Sequence, residues 1–220
     1  MGSEMCIRDR YCYPDRMTDE LIDTIASEPK VLKYIDLPLQ HASGKLLKRM
    51  NRHGDREVLT ELINKLRTKI PNLTIRTTFI TGFPGETEED FTELSEFVRD
   101  MRFDRMGCFA YSPEEDTPAA EFPDQIDDEV KKHRRDIIME QQAEIMAEKC
   151  ESMIGKTIKV LFEGFDRYAE CYYGRSSADA PEVDGKVFFT VEGKKPAVGD
   201  IIDVEITDYI DVDLIGEYKA

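Results

Sequence analysis

The sequence predicts an α/β domain followed by a small all-β domain. Strand-like segments at residues 32–39, 74–80 and 106–111 alternate with amphipathic helices, which is typical of a parallel sheet with right-handed crossovers. Near residue 154 the spacing of apolar residues changes from a helical period to alternation. Short strands are then predicted at residues 156–163, 168–173, 186–191, 200–207 and 211–216. Five strands in so short a stretch indicate a closed barrel of the kind used for recognition.

Each predicted helix of the first domain starts at a residue that can cap it. Such side chains accept hydrogen bonds from the first backbone N–H groups of a helix, and here they are Thr18, Ser43, Asp55, Thr87 and Asp127. Thr87 and Asp90 also have a spacing like that of a capping box. The helix after Asp127 is the longest, and its end places the domain boundary near residue 150. The predicted domains are therefore residues 11–150 and residues 151–220.

The first ten residues differ from the rest of the chain. They show no hydrophobic periodicity and begin with Met-Gly-Ser. We therefore interpret residues 1–10 as a non-native leader outside the fold, and Cys6 receives no role.

Composition limits the functional classes. The formal net charge is −16, which disfavours nonspecific binding to nucleic-acid phosphates and favours basic partners. The five cysteines are scattered and include no C-x-x-C pair, which argues against a disulfide framework or a self-contained zinc site. Neither a signal peptide nor an apolar run of about 18 residues is present, so the expected location is the cytoplasm.

Polar residues accumulate where the predicted strands end. Gln40 and His41 follow the first of these strands, and Arg76 and Thr78 share one face of the next. Gly82 and Gly85 permit a tight turn between that strand and its helix, without a Cβ to obstruct a ligand. Small-molecule sites commonly lie at this edge of a parallel sheet. Taken singly, each of these residues is equally consistent with packing or capping.

Seven motifs point to one family when they are taken together. In chain order they are Tyr-Cys-Tyr-Pro, Leu-Pro-Leu-Gln-His, Leu-Lys-Arg-Met-Asn-Arg, Arg-Thr-Thr-Phe-Ile-Thr-Gly-Phe-Pro-Gly-Glu-Thr, Phe-Asp-Arg, Tyr-Ser-Pro-Glu-Glu-Asp-Thr-Pro-Ala-Ala and Gly-Arg-Ser-Ser-Ala-Asp-Ala-Pro-Glu-Val-Asp-Gly. From residue 11 to residue 217 the chain resembles the RimO-type methylthiotransferases, radical S-adenosylmethionine (SAM) enzymes that act on ribosomal protein S twelve. The resemblance implies the carboxy-terminal half of a partial (β/α) barrel, followed by a TRAM domain with an OB-like barrel.

The resemblance also implies a chemistry and its cofactors. Such enzymes use SAM and two 4Fe-4S clusters to add a methylthio group to the β-carbon of an aspartate. The C-x-x-x-C-x-x-C motif that holds the SAM-cleaving cluster is absent here, so the chain resembles a carboxy-terminal fragment. We expect it to carry no catalytic or metal-binding residue and to be inactive alone.

Binding residues follow from the same resemblance. Those implied to face SAM and the substrate cavity are Gln40, His41, Arg76, Thr78, Gly82, Gly85, Glu86, Phe109 and Tyr111. Arg76 is the expected partner of the SAM carboxylate. The acidic residues Asp179, Glu182 and Asp184 are the expected contacts to the basic ribosomal protein.

Two alternatives remain at this stage. A sister enzyme methylthiolates an adenosine in transfer RNA, but the second domain has 15 acidic and 8 basic residues, a net charge of −7 that fits RNA poorly. The other alternative is a non-catalytic acidic binding module. No membrane partner is expected.

Overall fold

The structure, a computed structural model, describes the backbone of Ile7–Asp9 and all atoms of residues 11–219. The chain divides into two compact units, one ending at Gln142 and the other beginning at Ala143. This division falls inside the long helix, before the boundary that the sequence predicts near residue 150.

Parallel strands form the centre of the first unit. In the described residues they lie in the order β1 (Ile7–Asp9), β2 (Val31–Asp36), β3 (Thr74–Thr81) and β4 (Arg105–Ala110). Residues on one face of β3 alternate with residues on the other: Thr77 and Phe79 are fully buried, whereas Arg76 and Thr78 are partly exposed. The predicted parallel sheet is confirmed. The partly exposed face of β3 is polar in the middle of the strand, where Arg76 and Thr78 lie.

The strand β1 corrects one prediction. Ile7–Asp9 pair in parallel with β2, with Ile7 opposite Val31 and Asp9 opposite Ile35. The exclusion of these three residues from the fold is therefore wrong, because a short segment can pair through its backbone whatever its side-chain pattern. The remaining residues of the predicted leader, including Cys6, lie outside the described residues.

Helices follow the strands of the first unit, and the last of them continues past Gln142, where that unit ends. They are α1 (Asp19–Ser27), α2 (Gly44–Arg49), α3 (Arg56–Lys69), α4 (Glu88–Met101) and α5 (Asp128–Glu151). The predicted caps form at Thr18, Asp55 and Thr87, and Thr87 and Asp90 make a full capping box. Ser43 does not cap α2; its hydroxyl donates to Asp90 Oδ1 at 2.7 Å instead. That hydrogen bond ties the start of α2 to the start of α4.

Aromatic side chains pack beneath the sheet. Phe79 of β3 makes edge contacts with Phe97 and Phe103, at ring-centroid distances of 6.2 and 5.7 Å. All three rings are fully buried. Burial of such rings contributes roughly 1.5–3 kcal/mol each, so this cluster fixes α4 against β3.

The second unit contains a closed barrel. Its strands are β5 (Thr157–Asp166), β6 (Cys171–Ser176), β7 (Val187–Glu192), β8 (Ile201–Ile210) and β9 (Asp213–Lys219), in the order β5-β6-β7-β9-β8. The barrel interior is filled by Val160, Phe162, Val187, Phe189, Ile202, Val204 and Ile206. The predicted five-stranded barrel is confirmed, although β6 starts three residues later than the sequence predicts. The cause is Asp166, whose Oδ1 accepts the N–H groups of Tyr168 and Ala169 at 2.8 and 3.1 Å and holds them in a turn.

In the part of the chain that the structure describes, none of the helices combines the length and the apolar character that crossing a membrane requires.

Candidate functional site

A cavity of about 390 Å³ lies on the first unit, over the polar face of β3. This volume is within the range of small-molecule sites. The cavity is lined by Tyr11, Cys12, Tyr13, Pro38, Gln40, Arg52, Arg76, Thr78 and Phe109. The lining therefore combines two guanidinium groups with two polar side chains and three aromatic rings.

The strands determine which side chains reach the cavity. Arg76 and Thr78 point to it because alternate residues of a strand share a face. Gln40 is held beside β3 in a left-handed conformation, with φ of 70°. Its N–H donates to the Thr78 carbonyl and its carbonyl accepts from Ile80, both at 2.8 Å. These two bonds fix a backbone conformation that non-glycine residues rarely adopt, a feature that often occurs at binding sites.

Two arginines give the cavity a positive character. The Arg52 guanidinium lies 5.3 Å from the centroid of the Tyr13 ring, and its Nη1 donates to the Pro38 carbonyl at 3.2 Å. Arg76 Nη1 donates to Asp36 Oδ2 at 2.8 Å. Part of the Arg76 charge is thus balanced by Asp36, whereas Arg52 has a carbonyl and a ring as partners. The cavity suits a small molecule with a carboxylate at one end and an apolar or aromatic part at the other.

Four of the predicted cofactor-facing residues line this cavity, namely Gln40, Arg76, Thr78 and Phe109. The Phe109 ring is 62% exposed and forms part of the cavity edge. Tyr111 is not among the lining residues; its ring packs edge-on against Phe83 at 5.2 Å. Two residues farther along than Phe109, it has left the end of β4.

A separate buried polar cluster holds His41 and Glu86, which also do not line the cavity. Glu86 Oε2 accepts the Gly82 N–H at 2.6 Å, and Oε1 accepts from Arg134 Nη1 at 2.9 Å. His41 Nδ1 accepts the Ser43 N–H at 2.9 Å, so a neutral ring carries its proton on Nε2, which is 3.7 Å from Glu86 Oε2. These contacts connect the loop after β3 with the beginnings of α2 and α5.

The glycines of the loop serve the backbone rather than the cavity. Gly82 and Gly85 have φ of 71° and 82°. A Cβ on Gly82 would lie 2.7 Å from Lys131 Cβ, and the Gly85 N–H donates to the Asp124 carbonyl at 2.9 Å. The two positions therefore need glycine for conformation and for close packing.

Sequence analysis missed Arg52 as a cavity residue, together with Tyr11, Cys12, Tyr13 and Pro38. Arg52 ends the Leu-Lys-Arg-Met-Asn-Arg motif, and Tyr11–Tyr13 belong to the Tyr-Cys-Tyr-Pro motif. Both motifs were noted for the resemblance, so the guanidinium of one and the aromatic rings of the other were the available signal.

The acidic loop of the second unit differs from its sequence-based description. Asp179 is 4% exposed, and its Oδ2 accepts the Ser176 N–H at 3.0 Å and the Ser176 hydroxyl at 2.5 Å. Asp184 Oδ2 accepts the Ala180 N–H at 2.8 Å. These two carboxylates shape the loop because short acidic side chains bond to nearby backbone groups. Glu182, in contrast, is exposed at the loop tip.

The described cysteines do not fit an iron–sulfur cluster. Cluster ligation needs several thiolates close together, and the described residues include no group of three His, Cys, Asp or Glu side chains that could hold a metal. Burial raises the pKa of the Cys108 thiol to about 12, which keeps it protonated. Cys12 lines the cavity, without a second cysteine among the other lining residues.

Both domain families are recognised in the chain. Residues 10–98 match the family model of the radical SAM superfamily, and residues 154–218 match that of the TRAM domain. Coproporphyrinogen III oxidase (HemN) from Escherichia coli, a radical SAM enzyme, is similar in structure with a TM-score of 0.50, covering 75% of this chain and 35% of that one. Its sequence identity is 19%, so this similarity concerns the fold.

Sequence relatives are much closer. The chain is 49% identical to "Ribosomal protein uS12 methylthiotransferase RimO" of Lachnoclostridium phytofermentans over 96% of its length and 48% of that protein. It is also 49% identical to the protein of the same name from Geobacter sulfurreducens, over 96% of this chain and 47% of the relative. The chain thus spans about half the length of the curated relatives that it matches. The identity extends along nearly all residues of the chain and both domain families are matched, so the chain is similar along its length to about half of a RimO protein, with a radical SAM match followed by a TRAM match.

Proposed function

We propose that this chain works as part of a radical SAM enzyme that adds a methylthio group to the β-carbon of an aspartate in ribosomal protein uS12. The observation that carries the proposal is the 49% identity over 96% of the chain to relatives named as uS12 methylthiotransferases. A ribosomal substrate implies that the enzyme works in the cytoplasm.

In this proposal the cavity holds SAM. The residues that would bind it are Arg76 and Arg52 for the carboxylate, Gln40 and Thr78 for polar groups, and Phe109 beside the adenine. Bound SAM, together with a 4Fe-4S cluster, would supply the radical chemistry needed at the substrate carbon. This chain's share is to bind and orient the cofactor and to keep water from the reacting atoms.

The cluster ligands are proposed to come from residues beyond this chain. Its described cysteines do not assemble a metal site, and the chain's sequence has no C-x-x-x-C-x-x-C motif. We propose two 4Fe-4S clusters for the whole enzyme, the number implied by its resemblance to the methylthiotransferases. The 220 residues alone would then bind SAM weakly and would not turn over.

The barrel is proposed to recognise the protein substrate. Its net charge of −7 attracts a Lys- and Arg-rich ribosomal protein and repels RNA phosphates. The buried Asp179 shapes the recognition loop rather than contacting the substrate, while exposed Glu182 can contact it. This charge makes a transfer RNA substrate the weaker candidate.

A chimeric enzyme tests the proposal. The matching half of the Geobacter sulfurreducens relative is replaced by this chain, and the clusters are reconstituted anaerobically. We expect mass spectrometry of uS12 to show one aspartate in which a methylthio group has replaced a hydrogen. Modification of transfer RNA instead of uS12, by a chimera that cleaves SAM, would reject the proposal.

A further inference from the structure

The outer surface of the barrel carries an apolar groove that neither the cavity nor the acidic loop uses. It has a volume of about 390 Å³ and is lined mainly by β7 and β9, with one residue each from β6 and β8. Its main side chains are Cys171, Phe188, Thr190, Ile210 and Ile215, with Asp213 at one end. Ile210 is 63% exposed.

The strand pattern shows that this apolar surface is built by the fold. Val187 and Phe189 are buried in the barrel, so Phe188 between them points outward. Phe188 is directly opposite Ile215 in the parallel β7–β9 register. Paired apolar residues on the outward face of adjacent strands form a continuous strip, and such strips on soluble proteins commonly mark interaction sites.

Carboxylates surround the strip. Asp208 pairs with Ile215 across the β8–β9 ladder. In the sequence, Asp211 follows Ile210, and Glu170 lies between Ala169 and Cys171, which both line the groove. Glu170, Asp208 and Asp211 are all exposed.

Neighbouring lysines have partners of their own. Lys186 Nζ lies 4.7 Å from the centroid of the Tyr173 ring, and Lys219 Nζ lies 3.2 Å from a Glu217 oxygen. The four carboxylates around the groove, Glu170, Asp208, Asp211 and Asp213, outnumber these two lysines, so the balance of charge there is negative.

We propose that this groove binds a protein segment in which an aliphatic or aromatic side chain is flanked by lysine or arginine. The apolar strip would take the central side chain, and the carboxylates would attract the flanking cations. The inference rests on the proposed function for the identity of that protein, ribosomal protein uS12. It adds where on the barrel a basic substrate docks, a place distinct from the acidic loop.

Two isoleucines on one strand provide a matched test. Ile210 lines the groove and is 63% exposed, whereas Ile201 lies at the other end of β8, is 59% exposed and does not line it. Threonine keeps the β-branched shape at either position, so both variants are expected to fold. The probe is the labelled peptide Lys-Lys-Phe-Lys-Lys, titrated into the whole 220-residue chain by fluorescence anisotropy.

We expect Ile210→Thr to weaken peptide binding roughly tenfold and Ile201→Thr to leave it unchanged, because only the first removes apolar contact area. Asp211→Asn should weaken binding about threefold and reduce its salt dependence. Asparagine suits this position, where φ is 55°. A peptide with serine in place of phenylalanine should bind at least roughly tenfold more weakly.

Three results would overturn the inference. They are equal losses for the two isoleucine variants, tighter binding of a single-stranded RNA of equal length, and a self-association of the chain that Ile210→Thr abolishes. The peptide assay is independent of enzymatic activity. Failure of the proposed function would instead appear as groove-dependent binding of the peptide with no modification of uS12 by the chimera.

Discussion

Arg76 and Asp36 form an ion pair between neighbouring strands beside the cavity. Arg76 Nη1 lies 2.8 Å from Asp36 Oδ2, and the two residues are register partners on β3 and β2. The Arg76 side chain is 21% exposed, whereas that of Asp36 is 1% exposed. Asp36 Oδ1 has no hydrogen-bond partner within the described residues. Arg76 therefore has two tasks, to neutralise a buried carboxylate and to present positive charge to the cavity.

This asymmetry predicts unequal effects of removing either partner. Arg76→Met would leave the Asp36 carboxylate buried without its cation, and we expect a loss of about 3 kcal/mol in the free energy of unfolding. Asp36→Asn leaves a charge that can reach the cavity, so we expect only about 1 kcal/mol. Urea unfolding followed by circular dichroism measures both. Equal losses of stability in the two variants would show that the unpaired Arg76 charge is not solvated through the cavity.

Glu86 and Glu88 allow a second comparison, because both bind Arg134. The Glu86 side chain is fully buried and also accepts the Gly82 N–H, whereas that of Glu88 is 78% exposed. We expect Glu86→Gln to destabilise the first unit by about 2–3 kcal/mol, since it weakens two buried charge-assisted bonds. The control Glu88→Gln should cost less than about 0.5 kcal/mol. Similar values for the two variants would contradict a structural role for the buried cluster.

Sequence patterns predicted the elements that depend on local chemistry. Thr87 and Asp90 form their capping box because both partners lie within one helical turn. The pairing of Ile7–Asp9 with β2 was missed because backbone pairing between distant segments leaves little trace in so short a strand. Likewise, Ser43 has the composition of a cap, but tertiary contact with Asp90 took its hydroxyl.

The cavity was only half predictable for a related reason. Alternation along β3 identified Arg76 and Thr78, since the face of a strand follows from its period. No such alternation covers Gln40 and His41, which follow β2. The sequence therefore does not show that Gln40 lines the cavity while its neighbour His41 lies in the buried cluster. The difference arises from the left-handed backbone of Gln40, which depends on hydrogen bonds to β3.

Gly82 and Gly155 separate two costs of replacing a glycine. Both have positive φ, of 71° and 80°, but a Cβ on Gly155 would meet nothing within 4 Å, whereas one on Gly82 would lie 2.7 Å from Lys131 Cβ. We expect Gly155→Ala to cost about 1 kcal/mol for conformation alone. Gly82→Ala should cost at least about 2 kcal/mol more, because Lys131 must move. Thermal unfolding would refute this if the two variants were equally stable.

Asp90 predicts a specific acid sensitivity. Burial alone would raise its pKa, but hydrogen bonds from Lys45, Thr87 and Ser43 outweigh it and lower the pKa from 3.8 to about 2. Because the Asp90 pKa is lower in the folded state, the ionised carboxylate stabilises the fold at pH values above 3.8, its pKa in the unfolded chain. That contribution is lost as the pH falls from 3.8 towards 2.

The size of this contribution is limited by screening. Lys45 is 51% exposed, so we expect about 1 kcal/mol rather than the full value of the shift. The stability gap between the wild type and Asp90→Asn, measured by urea unfolding, should therefore shrink as pH falls between 3.8 and 2. A gap that stays constant across this window would contradict the assignment.

In the acidic loop, we expect different carboxylates to hold the loop conformation and to attract a basic partner. Asp179 accepts two hydrogen bonds from Ser176 and is buried, so Asp179→Asn should destabilise the barrel by about 1–2 kcal/mol. Glu182 is exposed at the loop tip, so Glu182→Gln should leave stability unchanged.

If the loop faces basic uS12, Glu182→Gln should weaken uS12 binding about twofold and reduce its salt dependence, because charges interact across a Debye length of about 8 Å. Glu192→Gln, which removes an exposed charge from β7, is the matched control and should have no effect on affinity. Equal effects at Glu182 and Glu192 would mean that only the overall charge of the barrel matters, and the loop would then have no specific part in recognition.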